Sequence, residues 1–540
     1  MSNSYKNISF QKLACFVINI AIVFFYSCNL KNKPTSVVSA ATPEAVKAGI
    51  EILDAGGNAV DAAVAIAFTL AVTEPALSGI GGQIQILVRV PNKEPLLING
   101  TSFAPSNLPE SIDKEDLVKH RATTVPTIVK TLYYSWEKYG SGNIEWNELL
   151  QPAIEYAYNG YENGEFRYKV LQFKKDELSN DSITRKLFLG RDGSVPDTKH
   201  TFKQPILANT LEKISEFGTH DFYSGKIAKL ISKDIKENGG WITIEDLKNL
   251  PEPKEQKPIK GYYRGYEIYT MPPPGGGWVI IQALNILEQY DPEKLKADSE
   301  ERLKLIALAL QLAHKSRSED PVKDLINYKK FVKQKTSEQE AKRLLKGETT
   351  HFSAVDKNGI VVSVTSSINN YYGSKAANPD LGFLYNDYMN EYKINEPDHP
   401  YNLQPKAMPY SSMTPTILMK DGEPVLAIGS PGSERIISAI IQVISLWIDA
   451  KISIEEAVTH SRIHVTPDSI VYLESNKFSE EEINDIKSLG FIFGTPSSDI
   501  IINKLNPYFG GVHAVAYENN QWTGAADPRR DGTSGYSYNN

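Results

Sequence analysis

Two hairpin patterns in the last third of the chain constrain its fold more than any other feature. Apolar residues at 352–355 and 360–364 flank the dipeptide Asn358-Gly359, which predicts two strands joined by a type I′ turn. The segment TPTILMKDGEPVLAIGS repeats this arrangement around Asp421-Gly422. A strongly apolar helix pattern, PGSERIISAIIQVISLWI, follows the second hairpin. Helices are therefore expected to cover the predicted sheets.

Helical patterns also fill the first half of the chain. In TPEAVKAGIEILDAGGNAVDAAVAIAFTLAVTEP, Thr42 and Asn58 are predicted N-caps, and residues 62–72 are so apolar that their helix must be buried. A strand pattern, QIQILVRV, follows, and residues 144–250 read as mainly helical. Paired strands with helices on both faces predict an α+β fold. We expect a four-layer αββα sandwich rather than a parallel doubly wound sheet.

Composition narrows the range of partners and chemistry. The 540 residues are 41% hydrophobic and carry a formal net charge of -7, which fits a soluble globular protein and gives no indication of nucleic-acid binding. The two cysteines are Cys15 and Cys28, both near the N-terminus. A disulfide, a cysteine nucleophile and a thiolate metal site are therefore not expected in the folded domain, and we predict neither a metal nor a cofactor. The lysine-rich residues 320–347 suit an exposed connection.

The N-terminus has the pattern of an export signal. Lys6 and Lys12 precede the uncharged run LACFVINIAIVFFY, which is short for a bilayer-spanning helix, and Ser27-Cys28 follows it. We predict a signal peptide at residues 1–28 with a lipoprotein-like cleavage site and lipidation of Cys28. Residues 29–37 would be a tether. A plain N-terminal anchor helix is the alternative, and either would hold an exported protein at a bacterial membrane, facing the periplasm or the cell exterior.

The segment GETTHFSAVDKNGIVVSVTSS places a hydroxyl pair at the start of the first hairpin. A threonine hydroxyl becomes a useful nucleophile when a base takes its proton, and His351 is the candidate base nearest in sequence to Thr349. A cut between Glu348 and Thr349 would supply another base, the new α-amine of Thr349 itself. Two threonines before a strand are also common for β-propensity alone, so the residues by themselves leave a structural role open.

Nine segments spread over nearly all of the chain after the signal form a recognisable series: AVDAAVA, SGIGG, LLQPAIEYAYNGY, NGGWITIEDL, GYYRGYEIYTMPPPGGG, TTHFSAVDKNG, PYSSMTPTI, GSPGSERII and ADPRRDG. In this order they resemble the γ-glutamyltranspeptidases, which are N-terminal nucleophile hydrolases made as one chain and self-cleaved before a threonine. The resemblance implies a large subunit at residues 38–348 and a small catalytic subunit at residues 349–540. It implies a hydrolase and acyltransferase that forms an acyl-threonine intermediate.

The resemblance also assigns roles to individual residues. Thr349 would be the nucleophile, Ser367 would provide the second hydroxyl near its amine, and Asn369 would belong to the substrate site. The serine pair of PYSSM would contact the substrate carboxylate, and two neighbouring backbone N–H groups in GSPGSER would stabilise the oxyanion. These residues are Ser411, Ser412, Gly432 and Ser433. A serine in the second oxyanion position keeps the N–H, provided that its backbone does not need a positive φ.

Three departures from the family pattern bear on the substrate. Thr101 and Ser102 stand where the family has the arginine and glutamate of R-E-x-A-P, so the charge that binds the substrate α-carboxylate is missing. Glu391 stands where an acid holds the α-amino group, and Tyr388 where a glutamine is common. The family's V-P-G has become V-P-T at residues 125–127. Weaker carboxylate recognition is expected.

Other arginines could in principle replace the missing charge. We considered Arg121 and Arg435 as carboxylate ligands, but arginines are commonly solvated surface residues, and Arg317 is expected to be an ordinary charge at a helix end.

Three functions remain open on the sequence. The first is a γ-glutamyl amidase of the glutathione hydrolase type that passes the acyl group to water or an amine. The second is an acylase of the same fold whose substrate lacks the α-carboxylate. The third is a non-catalytic surface lipoprotein.

Overall fold

The computed structural model describes residues 33–319, 348–474 and 478–538. The predicted signal, the lipidation site Cys28, residues 29–32 of the predicted tether and the connection at 320–347 lie outside these ranges. The end of the predicted tether requires a correction. Ser36 and Val37 begin a buried strand, because both pair with a C-terminal strand through Ser537 and Tyr536.

The strands fall into two large sheets and two small ones. In chain order they are β1 Ser36–Ala40, β2 Gln83–Arg89, β3 Leu96–Gly100, β4 Tyr161–Glu162, β5 Thr201–Phe202, β6 Lys254–Gln256, β7 Ile259–Tyr263, β8 Tyr266–Thr270, β9 Glu348–Val355, β10 Val361–Asn369, β11 Thr416–Lys420, β12 Glu423–Gly429, β13 Ile463–Val465, β14 Ile470–Leu473, β15 Ile492–Phe493, β16 His513–Glu518, β17 Gln521–Ala526 and β18 Thr533–Ser537.

Most α-helices of the described residues lie before β6, two lie between β8 and β9, and the last three follow the second hairpin. They are α1 Pro43–Asp54, α2 Ala59–Thr73, α3 Ile128–Tyr139, α4 Trp146–Asn159, α5 Glu165–Ser179, α6 Ser182–Phe188, α7 Pro205–Tyr223, α8 Lys226–Glu237, α9 Ile244–Lys248, α10 Gly277–Leu287, α11 Arg302–Glu319, α12 Arg435–Ile448, α13 Ile454–Thr459 and α14 Glu480–Ser488. Residues 144–250 are mainly helical, as predicted.

The two large sheets stack to form the centre of a four-layer sandwich. The first has the order β18-β1-β9-β10-β2-β3-β6 and the second β17-β16-β12-β11-β8-β7. One apolar cluster lies between the sheets, and two larger clusters join the outer faces of the sheets to helices such as α2 and α12. This confirms the predicted αββα architecture.

Helix α2 shows why the first core is so apolar. All of its residues are buried, and Asn58 caps it through a capping box with Asp61. The Asp356 carboxylate, in the loop between β9 and β10, also accepts a hydrogen bond from Ala59 N at 2.9 Å. The start of α2 is therefore fixed to the β9–β10 hairpin.

The β9–β10 turn differs from the predicted type I′ turn. That turn needs a positive φ at both central residues, whereas only Gly359 has one, at 82°. The Asp356 carboxylate instead accepts from Asn358 N at 2.8 Å and from Ile360 N at 3.0 Å, which holds a wider loop. At the second hairpin, Asp421 and Gly422 both have positive φ, and the prediction there is confirmed.

No helix in the described ranges is long and apolar enough to cross a membrane.

Candidate active site

Thr349 is the second residue of β9, in the middle of the first sheet, and is 4% exposed. The pairing of β9 with β10 is regular up to Ser366 and then shifts before Asn369. This bulge leaves Ser367 opposite Thr349, and the Thr349 hydroxyl donates to the Ser367 hydroxyl at 3.5 Å. The strand ladder therefore places the two predicted hydroxyls together.

Ser367 is the hub of a short hydrogen-bond chain. Its hydroxyl accepts from Asn369 N at 2.8 Å, and it also lies in hydrogen-bond contact with the Tyr388 phenol. Burial raises the pKa of Tyr388, so the phenol stays protonated. These hydrogen bonds fix the positions of Ser367, Asn369 and Tyr388 near Thr349.

His351 does not serve Thr349. It is fully buried, its Nδ1 contacts the Thr365 hydroxyl at 2.9 Å, and its Nε2 contacts the Ser353 hydroxyl at 3.1 Å. Burial holds the pKa of the imidazole well below its ordinary value. Both ring nitrogens are thus engaged along the strands, which leaves the α-amine as the remaining candidate base from the sequence.

Asn369 links Ser367 to the acidic residue Glu391 by hydrogen bonds. It adopts a left-handed conformation, φ 76°, which asparagine tolerates better than most residues. Its side-chain amide donates to a Glu391 carboxylate oxygen at 3.0 Å and to the Asp387 carbonyl at 3.3 Å. Burial raises the pKa of Glu391 to about 7, although the hydrogen bond from Asn369 lowers it. Glu391 thus lines the same cavity as Thr349.

The serine pair, Ser411 and Ser412, lines the same cavity. Ser411 N donates to the Pro274 carbonyl at 3.1 Å, so the turn of MPPPGGGW supports the pair from below. Ser412 accepts a hydrogen bond from Arg317 at 3.0 Å. Arg317 is 5% exposed and stacks on Tyr410 with its guanidinium carbon 4.2 Å from the ring centre. It is therefore a buried group of the site and not the ordinary helix-end charge expected from the sequence.

The predicted oxyanion turn lies at the end of β12. Gly432 has φ 120° and Ser433 has φ 55°, so both residues need the conformation that favours glycine. The condition set for Ser433 is therefore not met. A serine in the left-handed region costs about 1 to 2 kcal/mol relative to glycine. Gly432 lies close to Gly510, whose Cα is 3.5 Å from the position a Gly432 Cβ would take.

One cavity unites most of the predicted residues. It is lined by Thr349, Asn369, Tyr388, Glu391, Tyr410, Ser411, Ser412, Met413, Ser433 and Ile436. Tyr410, Met413 and Ile436 are lining residues that sequence reasoning missed, since an apolar or aromatic residue beside a motif carries no distinct signal.

Thr101 is not among the residues that line this cavity. It is 2% exposed, its hydroxyl donates to the Asn99 side chain and accepts from Gln85 at 2.8 Å, and it lines a separate cavity with Lys130 and Leu250. Its neighbour Ser102 lies nearer the site, because Ser102 N donates at 2.7 Å to Gln83, which contacts Tyr388.

The other two arginines differ in position. Arg121 lies at the surface, 3.4 Å from Asp116, as expected for a solvated residue. Arg435 stacks on Tyr508 and lines a wider cleft beside the oxyanion turn.

Two stacked sheets between helices, with a threonine at the start of a central strand, agree with the fold of the N-terminal nucleophile hydrolases. A sequence profile described as Gamma-glutamyltranspeptidase matches residues 45–537. The chain therefore belongs to the γ-glutamyltranspeptidase family, which confirms the resemblance seen in the sequence.

Individual relatives agree with this assignment. The chain is 33% identical over 471 residues to the glutathione hydrolase proenzyme of Escherichia coli (strain K12), covering 79% of this chain and 80% of that protein. It is 31% identical over 548 residues to the glutathione hydrolase proenzyme of Bacillus subtilis (strain 168), covering 92% and 91%. The crystal structure of cephalosporin acylase from Bacillus halodurans superposes with a TM-score of 0.81 at 24% identity, covering 93% of this chain and 96% of that one, which shows the shared fold.

Proposed function

We propose that the chain is a self-processing threonine amidase that cleaves γ-glutamyl amides and passes the acyl group to water or an amine. One observation carries this proposal. Thr349 lines one cavity together with an acid held by an amide, Glu391 with Asn369, and with a pair of hydroxyls, Ser411 and Ser412. An amino acid head group has an ammonium and a carboxylate on one carbon. A cavity that presents both an acid and a pair of hydroxyls suits such a group.

The processing step would be a cut between Glu348 and Thr349, giving an N-terminal piece that contains β1 and ends at Glu348 and a C-terminal piece of residues 349–540. Thr349 lies at the start of a buried strand, so a cut before it frees an amine on the same residue as the hydroxyl. This amine has a reference pKa of about 7.7 to 8.0 and can accept a proton at neutral pH. Names of the relatives as proenzymes support this step.

The reaction would proceed in two steps, acylation and then deacylation of Thr349. The α-amine takes the Thr349 hydroxyl proton while Oγ1 forms a bond to the amide carbonyl carbon, and the proton then passes to the leaving amine as the C–N bond breaks. The resulting ester is attacked by water or an acceptor amine, whose proton goes to the α-amine and then to Thr349 Oγ1 as the ester C–O bond breaks. Ser367, in contact with the Thr349 hydroxyl, would orient the nucleophile.

The tetrahedral intermediates carry a negative oxygen. We assign its stabilisation to the backbone N–H groups of Gly432 and Ser433, because Ser433 lines the cavity with Thr349. The glycine-like conformation of both residues is consistent with a turn whose shape is kept for its N–H groups.

Two other functions compete with this one. An acylase on a substrate without an α-carboxylate would agree with the missing arginine at Thr101, and a non-catalytic lipoprotein would need no ordered site. The cavity with an acid and a serine pair favours the amidase over both.

A substrate panel tests the proposal. The soluble protein from residue 29 onward should release 4-nitroaniline from γ-glutamyl-4-nitroanilide, and its kcat/KM should exceed that for acetyl-4-nitroanilide. Faster release from the acetyl compound would favour the acylase, and an uncut chain that is inactive on both would favour the lipoprotein.

The pKa of Glu391 predicts how substrate affinity depends on pH. Because the raised value is about 7, the carboxyl is ionised above pH 7 and binds a substrate ammonium best there. As the pH falls from 8 to 6 the ionised fraction falls about tenfold, so KM for the γ-glutamyl substrate should rise by about that factor. Initial rates across this range measure it. In Glu391→Gln, KM should be higher and flat with pH, and a wild-type KM that does not change would contradict the role.

We also propose export and lipidation at Cys28, on the sequence pattern described above. Fatty-acid labelling of the intact protein should be lost in Cys28→Ala, and labelling that persists in this variant would refute it.

A further inference from the structure

Arg317 is a buried cation that donates hydrogen bonds to the serine pair, Ser411 and Ser412. It lies near the end of α11 and is 5% exposed. Its guanidinium donates to the Ser412 hydroxyl at 3.0 Å and to the Ser411 carbonyl at 2.6 Å. A Cβ added to Gly276 would lie 3.2 Å from the guanidinium, so the glycine turn of MPPPGGGW leaves room for this charge.

The charge of Arg317 has no ion pair in contact range among the described residues. Its hydrogen bonds go to a hydroxyl and a carbonyl, and it lies over the face of Tyr410. Burial raises the pKa of the Glu434 carboxyl, and Arg317 is near enough to lower that pKa against the effect of burial. A buried charge without a contacting opposite charge is costly, and an anionic ligand in the cavity would supply such a contact.

The Ser412 hydroxyl links the Arg317 guanidinium to the cavity through a hydrogen bond. A hydroxyl has one proton to donate and two lone pairs to accept with. Ser412 accepts from Arg317, so its own proton is available for a group in the cavity that Ser412 lines. Hydrogen bonds in a chain polarise one another, so a donor that accepts from a guanidinium is a stronger donor to an anion.

We propose that Arg317 determines recognition of the substrate α-carboxylate by acting through Ser412. This rests on the proposed function, and it identifies the residue that replaces the arginine lost at Thr101. Thr101 lines a different cavity, whereas Arg317 contacts the wall beside Thr349. Arg317 is a specificity-determining residue without touching the substrate itself.

Two other cations are weaker candidates on geometry. Arg435 lines the wider cleft beyond the oxyanion turn and stacks on Tyr508. Arg121 lies 3.4 Å from Asp116 and is about half exposed. Variants of these two arginines therefore serve as comparisons for variants of Arg317.

A pair of substrates separates carboxylate recognition from general damage. γ-Glutamyl-4-nitroanilide and 4-aminobutyryl-4-nitroanilide differ only by the α-carboxylate. In the wild type we expect kcat/KM to favour the γ-glutamyl compound by about ten- to a hundredfold. In Arg317→Met this preference should fall about tenfold or more, through KM for the γ-glutamyl compound, while kcat/KM for the 4-aminobutyryl compound changes less than about threefold. Arg317→Lys should keep part of the preference, because an ammonium keeps the charge without the planar fork.

Ser412→Ala provides a second measurement in which the Arg317 charge is kept and only the hydroxyl between it and the cavity is removed. It removes the hydroxyl of the partly exposed Ser412 and should lower the preference as Arg317→Met does. Arg121→Met is the matched control and should leave the preference unchanged. Two bands on a denaturing gel should show that each variant has matured before its rates are compared.

Several results would overturn the inference. Equal losses on both substrates in Arg317→Met would show a structural role, and an unchanged preference in Ser412→Ala would exclude the hydroxyl even if Arg317→Met fails to fold. Loss of the preference in Arg435→Met alone would place recognition in the neighbouring cleft. A wild type that cleaves both compounds equally would refute the inference alone, whereas a wild type that cleaves neither would refute the proposed function.

Discussion

Thr349→Ala is expected to leave a single uncut chain with no measurable amidase activity. The substitution removes the hydroxyl that both the self-cleavage and the acyl transfer require, so the rate of each should fall at least about a thousandfold. The side chain is almost fully buried at the start of β9, and losing its hydroxyl should disturb packing little. A denaturing gel and N-terminal sequencing of the smaller piece measure cleavage, and release of 4-nitroaniline measures activity.

Two further variants make this result specific. Thr349→Ser keeps a hydroxyl and an amine on one residue and should still be cut, although more slowly. Thr350→Val removes the neighbouring buried hydroxyl of the same strand and should be cut as well. An intact wild-type chain with full activity would rule out the proposed mechanism.

Asp527→Ala should cause a large loss of stability. Asp527 is fully buried and lies 2.7 Å from Arg462 and 3.0 Å from Arg529. These two guanidiniums hold the pKa of Asp527 well below its ordinary value, against the effect of burial. Removing Asp527 leaves the buried Arg462 without its ion-pair partner, whereas Arg529 keeps Glu474, and breaking such a buried pair costs about 3 to 5 kcal/mol. A fall of several degrees in the melting temperature of the mature protein would show it.

The same carboxylate also supports the oxyanion turn from a distance. It accepts from Val512 N at 2.8 Å, and the preceding Gly511 N donates to Ser430 at 3.1 Å. Gly510 in this segment packs against Gly432. Asp527→Ala should therefore lower kcat together with stability. Asp116→Asn, which breaks the surface pair with Arg121, is the control and should cost less than about 1 kcal/mol. Equal effects of the two variants would contradict the assigned role of the buried network.

Local patterns predicted the architecture well because burial periodicity repeats along each strand and helix. The apolar run of α2 could only be a buried helix, and the alternation around Asp421-Gly422 could only be a hairpin. The turn at Asn358-Gly359 was predicted wrongly because the deciding group is the Asp356 side chain, whose bond to Ala59 arises in the tertiary fold. Dipeptide preference does not contain that contact.

The residues of the candidate site also differ in how far local sequence patterns could predict them. Thr349, Ser367 and Asn369 follow one another on a hairpin, so strand geometry and the family motifs were enough to group them. The sequence revealed the loss of an arginine at Thr101 but not which cavity that position lines. Arg317 and Ser412 are 95 residues apart along the chain. Their contact depends on how α11 packs, so the charge near the serine pair was visible only in the structure.

The strand order of the first sheet has a consequence for the order of events in maturation. From one edge, β18 belongs to the piece after residue 349, β1 to the piece before it, β9 and β10 again to the later piece, and β2 to the earlier one. A chain cut before Thr349 would consist of two interleaved halves, neither of which keeps a continuous sheet without the other. Folding must then precede cutting. Separately synthesised halves should fail to combine into active enzyme, and dilution of the mature protein should not separate them.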